Sequence, residues 1–180
     1  MIKINYEKRW DNLRSSLGEK DAFVSALPGN TRYLANSESP PGTPPSSTMN
    51  YVVIPKKGEP IAITSSLEEH RCRHESSVND IRCWTTYPDI KSDGKSALEI
   101  LKSSLKEIKA KQIFADTKVS LGRSFKSSVS SNLNELRSIK SEAELERIKK
   151  AIKQSDDGQR FAYNLVAVSY THLRAHETPV

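Results

Sequence analysis

The stretch RSIKSEAELERIKKAIKQ, residues 137–154, decides how the rest of the chain is read. Ser141 is followed three residues later by Glu144, the spacing of a capping box. In that arrangement the hydroxyl and the carboxylate each accept from a free backbone N–H of a helix's first turn. Leu145, Ile148, Ala151 and Ile152 then recur at helical spacing, which predicts a helix with one apolar face. Glu146 stands four before Lys150 and three before Lys149, in the favourable order for helical pairs. The helix is expected to continue through Phe161, Ala162, Leu165 and Val166.

Upstream, the chain alternates helical and extended patterns. Tyr6, Trp10, Leu13 and Leu17 share one helical face, with Gly18 as a stop. Asp21–Ala26 (DAFVSA) predicts a short buried strand, broken by Pro28 and Gly29. Residues 49–54 and 60–64 predict two strands joined by a turn at Lys57-Gly58-Glu59, a hairpin. Residues 66–76 predict a helix capped by Ser65 or Ser66. Asp80–Thr85 predicts a strand in which Ile81, Cys83 and Thr85 alternate with Arg82 and Trp84. A long helix is expected over 95–109, capped by Ser92 or Asp93, with Ala97, Leu101, Leu105 and Ile108 inward and Leu98 widening the face. QIFAD, residues 112–116, predicts a strand, and residues 120–133 a short serine-rich helix. Helices and strands in this order predict an α/β sandwich, a mixed sheet with helices on both faces.

Four stretches carry a family resemblance. "R-x-I-K-S-x-x-E-x-x-x-I-K-x-A" at 137–151 resembles the segment joining the two domains of the creatinase/prolidase/aminopeptidase P family, the pita-bread metallopeptidases. Asn30, Tyr33 and Leu34, with Arg32 between, match the "P-x-N-x-x-Y-L" signature after the first strand of that family's N-terminal domain. "V-V-I-P-K-x-G-E-P" at 52–60 resembles its paired strands, and "L-E-E-x-R" at 67–71 the helix after them. The resemblance spans about residues 6–168. It implies a creatinase/prolidase-like N-terminal domain over 1–139, then a linking helix and the start of a catalytic domain over 140–168.

By the same resemblance the intact protein is a Xaa-Pro aminopeptidase or a prolidase-like dipeptidase, a hydrolase acting on proline-containing peptides. Two divalent ions (Mn, Co or Zn) would be held by two aspartates, a histidine and two glutamates of the catalytic domain. None of those motifs stands in this chain, so no catalytic or metal-binding residue is carried over, and the 180 residues are expected to be inactive. The N-terminal domain of the family packs in homodimers near the neighbouring active site and limits substrate length. Asn30, Arg32 and Tyr33 are therefore the candidates for substrate access or dimer contact. A proline-rich stretch between Ser37 and Ser47 departs from the family and reads as a surface loop. The competing class is a self-standing, non-enzymatic interaction module of the same fold.

Residues 169–180 (SYTHLRAHETPV) lose the apolar periodicity. They resemble translated adapter DNA and are expected to be a non-native tail. His172 and His176 lie in it and are not read as a metal site. His70 and His74 are four apart with Cys72 between them, but Arg71 stands where the helical zinc motif needs a glutamate, so an exposed helix face is expected there. Two cysteines, Cys72 and Cys83, make no disulfide framework and are expected as free thiols. The net charge of +6 comes from the lysine-rich second half, with 15 basic against 8 acidic side chains over residues 91–153. No aromatics interleave with these lysines, which argues for solvated helix faces and against nucleic acid. No apolar run approaches the roughly 20 residues of a membrane helix. The start, MIKINYEKRW, has no signal-peptide core, so a cytoplasmic protein is expected.

Overall fold

The structure, a computed structural model, describes residues 3–36 and 50–174, with side chains up to residue 166. The expected proline-rich loop at 37–47 lies outside the described residues. Two compact units are distinguished, Asn5–Ser138 and Met1–Ile4 with Ile139–Val180.

In the first unit, strand residues alternate in direction, as the pleat requires. Strand β1 (Asp21–Ser25) sends Phe23 to one face and Ala22 and Val24 to the other. Strand β2 (Tyr51–Pro55) sends Val52 and Ile54 one way and Val53 the other. Strand β3 (Ile61–Ser65) follows the same rule with Ala62 against Ile61 and Ile63. Both faces are apolar, so both must be covered. Helices α1 (Tyr6–Ser15), α2 (Pro28–Ala35), α3 (Glu69–Glu75) and α5 (Asn132–Ser138) supply Trp10, Leu13, Leu34, Cys72 and Leu133 to the first face. Helix α4 (Ala97–Glu107) supplies Ile100, Leu101 and Leu105 to the second. Each fully buried large side chain contributes about 1.5–3 kcal/mol, so these two layers dominate the unit's stability. The expected α/β sandwich is what forms.

The sheet has six strands in the order β4-β3-β2-β1-β5-β6, with β4 at Asp80–Trp84, β5 at Gln112–Ala115 and β6 at Lys126–Val129. Strand β2 runs antiparallel to both neighbours and the other pairs are parallel, so the sheet is mixed. Gly58 (φ 98°) turns the β2–β3 hairpin where it was expected. Arg14 of α1 clamps that hairpin by donating from Nε to the Pro55 carbonyl at 3.0 Å. At the outer rim of β4, Asp93 takes the place of a further strand. Its carboxylate accepts from the Cys83 N–H at 2.7 Å and its own N–H donates to the Cys83 carbonyl at 2.8 Å. The Thr85 N–H donates to the Gly94 carbonyl at 3.2 Å.

Four expectations are corrected. Pro28 and Gly29 do more than break the strand: with them begins α2, Pro28–Ala35, a helix the sequence pattern does not predict. Residues 120–133 are not a helix: they contain β6, which pairs in parallel with β5 from Gln112↔Lys126 to Ala115↔Val129, and the helix starts only at Asn132. All four β6 side chains are exposed, so no buried face marked it as a strand. Helix α4 is capped by Ser96 rather than Ser92 or Asp93: the Ser96 hydroxyl accepts from the Glu99 N–H at 3.2 Å, and the Glu99 carboxylate accepts from the Lys95 N–H at 2.8 Å. Helix α3 starts at Glu69, and neither Ser65 nor Ser66 caps it. Residues 66–68 form a turn instead, with the Glu68 N–H on the Ser65 carbonyl at 3.0 Å.

In the second unit, α6 (Glu142–Arg174) is a single helix of 33 residues. Its capping box is complete. The Ser141 N–H and hydroxyl donate to the Glu144 carboxylate at 2.8 and 2.7 Å, and the Glu144 N–H donates back to the Ser141 hydroxyl at 3.3 Å. Among the described residues no helix is long and apolar enough to cross a membrane.

Candidate functional site

The three candidate residues lie on α2, at the carboxyl ends of the adjacent parallel strands β1 and β5. Proline at the first position suits a helix start, but the cap residue Leu27 has no side chain that can accept from the first turn. The acceptor comes from the end of β5. In register, Val24 pairs with Ala115, so the next residues, Ser25 and Asp116, fall side by side. The Asp116 carboxylate accepts from the Ala26 N–H at 2.9 Å, the Leu27 N–H at 3.3 Å, the Ser25 hydroxyl at 2.7 Å and the Asn30 amide at 2.9 Å. One side chain thus caps α2 and ties two strands together.

Asn30 is buried, and its side chain is used at both ends. Its amide nitrogen donates to Asp116, and its oxygen accepts from the guanidinium of Arg137. That guanidinium also lies 5.6 Å from the centre of the Tyr33 ring. Arg9 stacks more closely on the same ring, at 3.8 Å, and donates to the Tyr33 carbonyl at 2.6 Å. Tyr33 is thus flanked by two guanidinium groups, a cation–π arrangement. At the far end of α2, Asn36 takes a left-handed conformation (φ 59°), where its N–H donates to the Arg32 carbonyl at 2.9 Å. The Asn36 side chain accepts from the Tyr6 hydroxyl at 2.7 Å and donates to the Glu75 carbonyl at 2.9 Å.

The structure therefore brings Asn30 and Tyr33 together through Arg137, while Arg32 is exposed on the outer side of the same helix. Sequence reasoning did not single out Asp116, Arg137 or Arg9 as members of this cluster. Arg137 was in view, but only as part of the approach to the linking helix. Asp116 was in view only as the end of a strand. Their partners lie 86 and 107 residues away in the chain, and no local pattern signals such a pairing.

The chemistry of the cluster is that of holding. Asp116 is occupied by four donors and Asn30 by two partners. Elsewhere in the unit, burial pushes the Cys83 thiol up to about 12, which keeps it protonated and unreactive near neutral pH. Cys72 is also buried, with its sulfur 3.7 Å from the Thr64 hydroxyl. Arg82 is held above its ordinary value by hydrogen bonds to Asp80 and then to Glu107. His70 and His74 lie on the exposed face of α3 with ring centres 4.7 Å apart, while Cys72 points into the core. Among the described residues no group of three or more His, Cys, Asp or Glu side chains comes together in a way that could hold a metal ion. The described residues thus offer no set of side chains that fits the two metals implied by the family resemblance.

The order of strands and helices has close counterparts among solved structures. The chain is similar to the Xaa-Pro dipeptidase from Bacillus anthracis, with a TM-score of 0.68 and 18% identity over 89% of this chain and 44% of that one. It is similar to the prolidase from Thermococcus sibiricus, with a TM-score of 0.67 and 20% identity over 90% of this chain and 45% of that one. It also matches the creatinase/prolidase N-terminal domain of an X-Pro dipeptidase from Streptococcus pyogenes, with a TM-score of 0.52 and 15% identity over 73% of this chain and 98% of that one. No protein-family model matches the chain. No curated protein matches it by sequence. The chain thus has the fold of the creatinase/prolidase N-terminal domain, and it spans under half the length of the first two enzymes.

Proposed function

We propose that this chain is the non-catalytic N-terminal domain of a metal-dependent Xaa-Pro aminopeptidase or prolidase-like dipeptidase. One coincidence carries the reading. The stretches at 28–34, 52–60 and 137–151 resemble that family in wording, and they stand in a chain whose fold is that of the family's N-terminal domain. Fold likeness at this identity speaks only for architecture; the shared order of the motifs adds the family.

On this reading the domain aids homodimerisation and limits access of proline-containing peptides to a neighbouring active site, in a cytoplasmic enzyme. Arg32, exposed on α2, is the candidate for direct contact. Asn30 and Tyr33 act through the position of the helix that carries it. The Mn, Co or Zn ions belong to a catalytic domain that follows α6. Sequencing the source DNA through and beyond codon 168 tests the proposal. An open frame leading to two aspartate, one histidine and two glutamate ligands is expected. A native stop after Val180, or hydrolysis of Xaa-Pro dipeptides by the 180 residues with added Mn²⁺ or Co²⁺, overturns it.

A further inference from the structure

Strand β6 forms one outer edge of the sheet, and its rim is open. The Ser130 N–H donates to the Ala115 carbonyl at 2.8 Å. Backbone groups alternate in side along a strand. Ser128 therefore turns its N–H and C=O to β5, while Ser127 and Val129 turn theirs outward. Both residues are exposed, and among the described residues their outward backbone groups have no partner. At β4, the opposite edge, the rim N–H groups of Cys83 and Thr85 are taken.

The same edge is basic where the strands begin. Lys109 and Lys111 precede β5, and Arg123 and Lys126 lead into β6. The parallel register, Gln112 beside Lys126, sets the two starts next to each other. All four cations are exposed, and none forms an ion pair among the described residues. The carboxylates next to this end in sequence and in register, Glu107 and Asp21, are held by Arg82 and by the Gly18 N–H. We propose that β6 is a docking edge for an acidic extended peptide, which adds to the sheet as a further strand. The outward backbone of Ser127 and Val129 exchanges hydrogen bonds with it, and the four cations draw its carboxylates. Strand β6 (KSSV) offers a partner little apolar surface, so backbone groups and positive charge are what it has to give, and an acidic strand uses both. A second copy of β6 carries the same cations and is the poorer occupant. No catalytic domain is needed for this binding.

Fluorescence anisotropy tests the proposal, with a labelled octapeptide that alternates glutamate with threonine or valine, titrated with the 180-residue chain at low salt. Saturable binding with a dissociation constant below about 1 mM is expected, and added salt should weaken it. Val129→Pro removes an outward donor but no hydrogen bond to β5, and should weaken binding about tenfold. Arg123→Glu with Lys126→Glu should weaken it about tenfold or more. Methylating alternate backbone nitrogens of the peptide leaves the protein untouched. Methylation in the register that faces β6 should abolish binding, and methylation in the other register should leave it nearly unchanged. Absence of saturable binding overturns the proposal. Equal binding of both methylated peptides means attraction by charge alone and overturns strand addition. Equal binding of a peptide with lysine in place of glutamate, or tighter binding of single-stranded DNA of the same length, overturns the acidic peptide as the occupant.

Discussion

Helix α2 begins on a proline and a glycine and has no capping side chain of its own, yet it forms. Helix α6 opens on a complete capping box and continues for 33 residues. Proline, glycine, asparagine and threonine at the start of α2 are weak helix formers. The helix exists because Asp116 caps it from β5, Arg137 holds Asn30 and Arg9 covers Tyr33. In α6 the cap, the apolar spacing and the Glu-to-Lys order are all local. One helix is specified by its surroundings and the other by its own sequence.

Breaking the remote cap should have the largest effect. Asp116→Ala removes the acceptor of four donors and leaves the Ala26 N–H and Asn30 amide without their partner. A loss of about 3 kcal/mol is expected, lowering the melting temperature by about 10 °C. Urea or thermal unfolding checks it, and an unchanged midpoint would remove Asp116 from the account. A double-mutant cycle sharpens the same point. Asn30→Ala should cost about 2 kcal/mol and Arg137→Ala about 1 kcal/mol, with a coupling of about 1 kcal/mol because they share one hydrogen bond. Additive losses would mean that the two residues do not act together. Smallest is Ser141→Ala, expected to cost about 0.5–1 kcal/mol, confined to the first turn of α6. Hydrogen exchange at residues 142–145 reads it. A fall in the urea midpoint of the first unit would show that α6 is not as self-sufficient as its cap implies.

The same contrast explains what could be read without coordinates. Helix α6, the inner face of α4 and strands β1 to β5 announce themselves through periodicity, and each was legible in place. Strand β6 was not, because its side chains are all exposed and its only support is the parallel ladder to β5. Helix α2 was not, because its acceptor stands at residue 116. The candidate site was half legible. Asn30, Arg32 and Tyr33 could be singled out from their motif, but burial separates the first from the second only in three dimensions. Asp116 and Arg137, which organise the cluster, carry no local mark of that role.

Strand β4 is last in the sheet order, and the amides on the outer rim of such a strand ordinarily trade hydrogen for deuterium with passing water within seconds to minutes. Here the rim N–H of Cys83 is bound by a carboxylate and that of Thr85 by a carbonyl. Deuterium uptake at residues 83 and 85 is therefore expected to be as slow as in the central strands β1 and β2. Two rim donors are thereby taken, one by Asp93 and one by the Gly94 carbonyl, which leaves an incoming extended peptide less of this edge to zip onto.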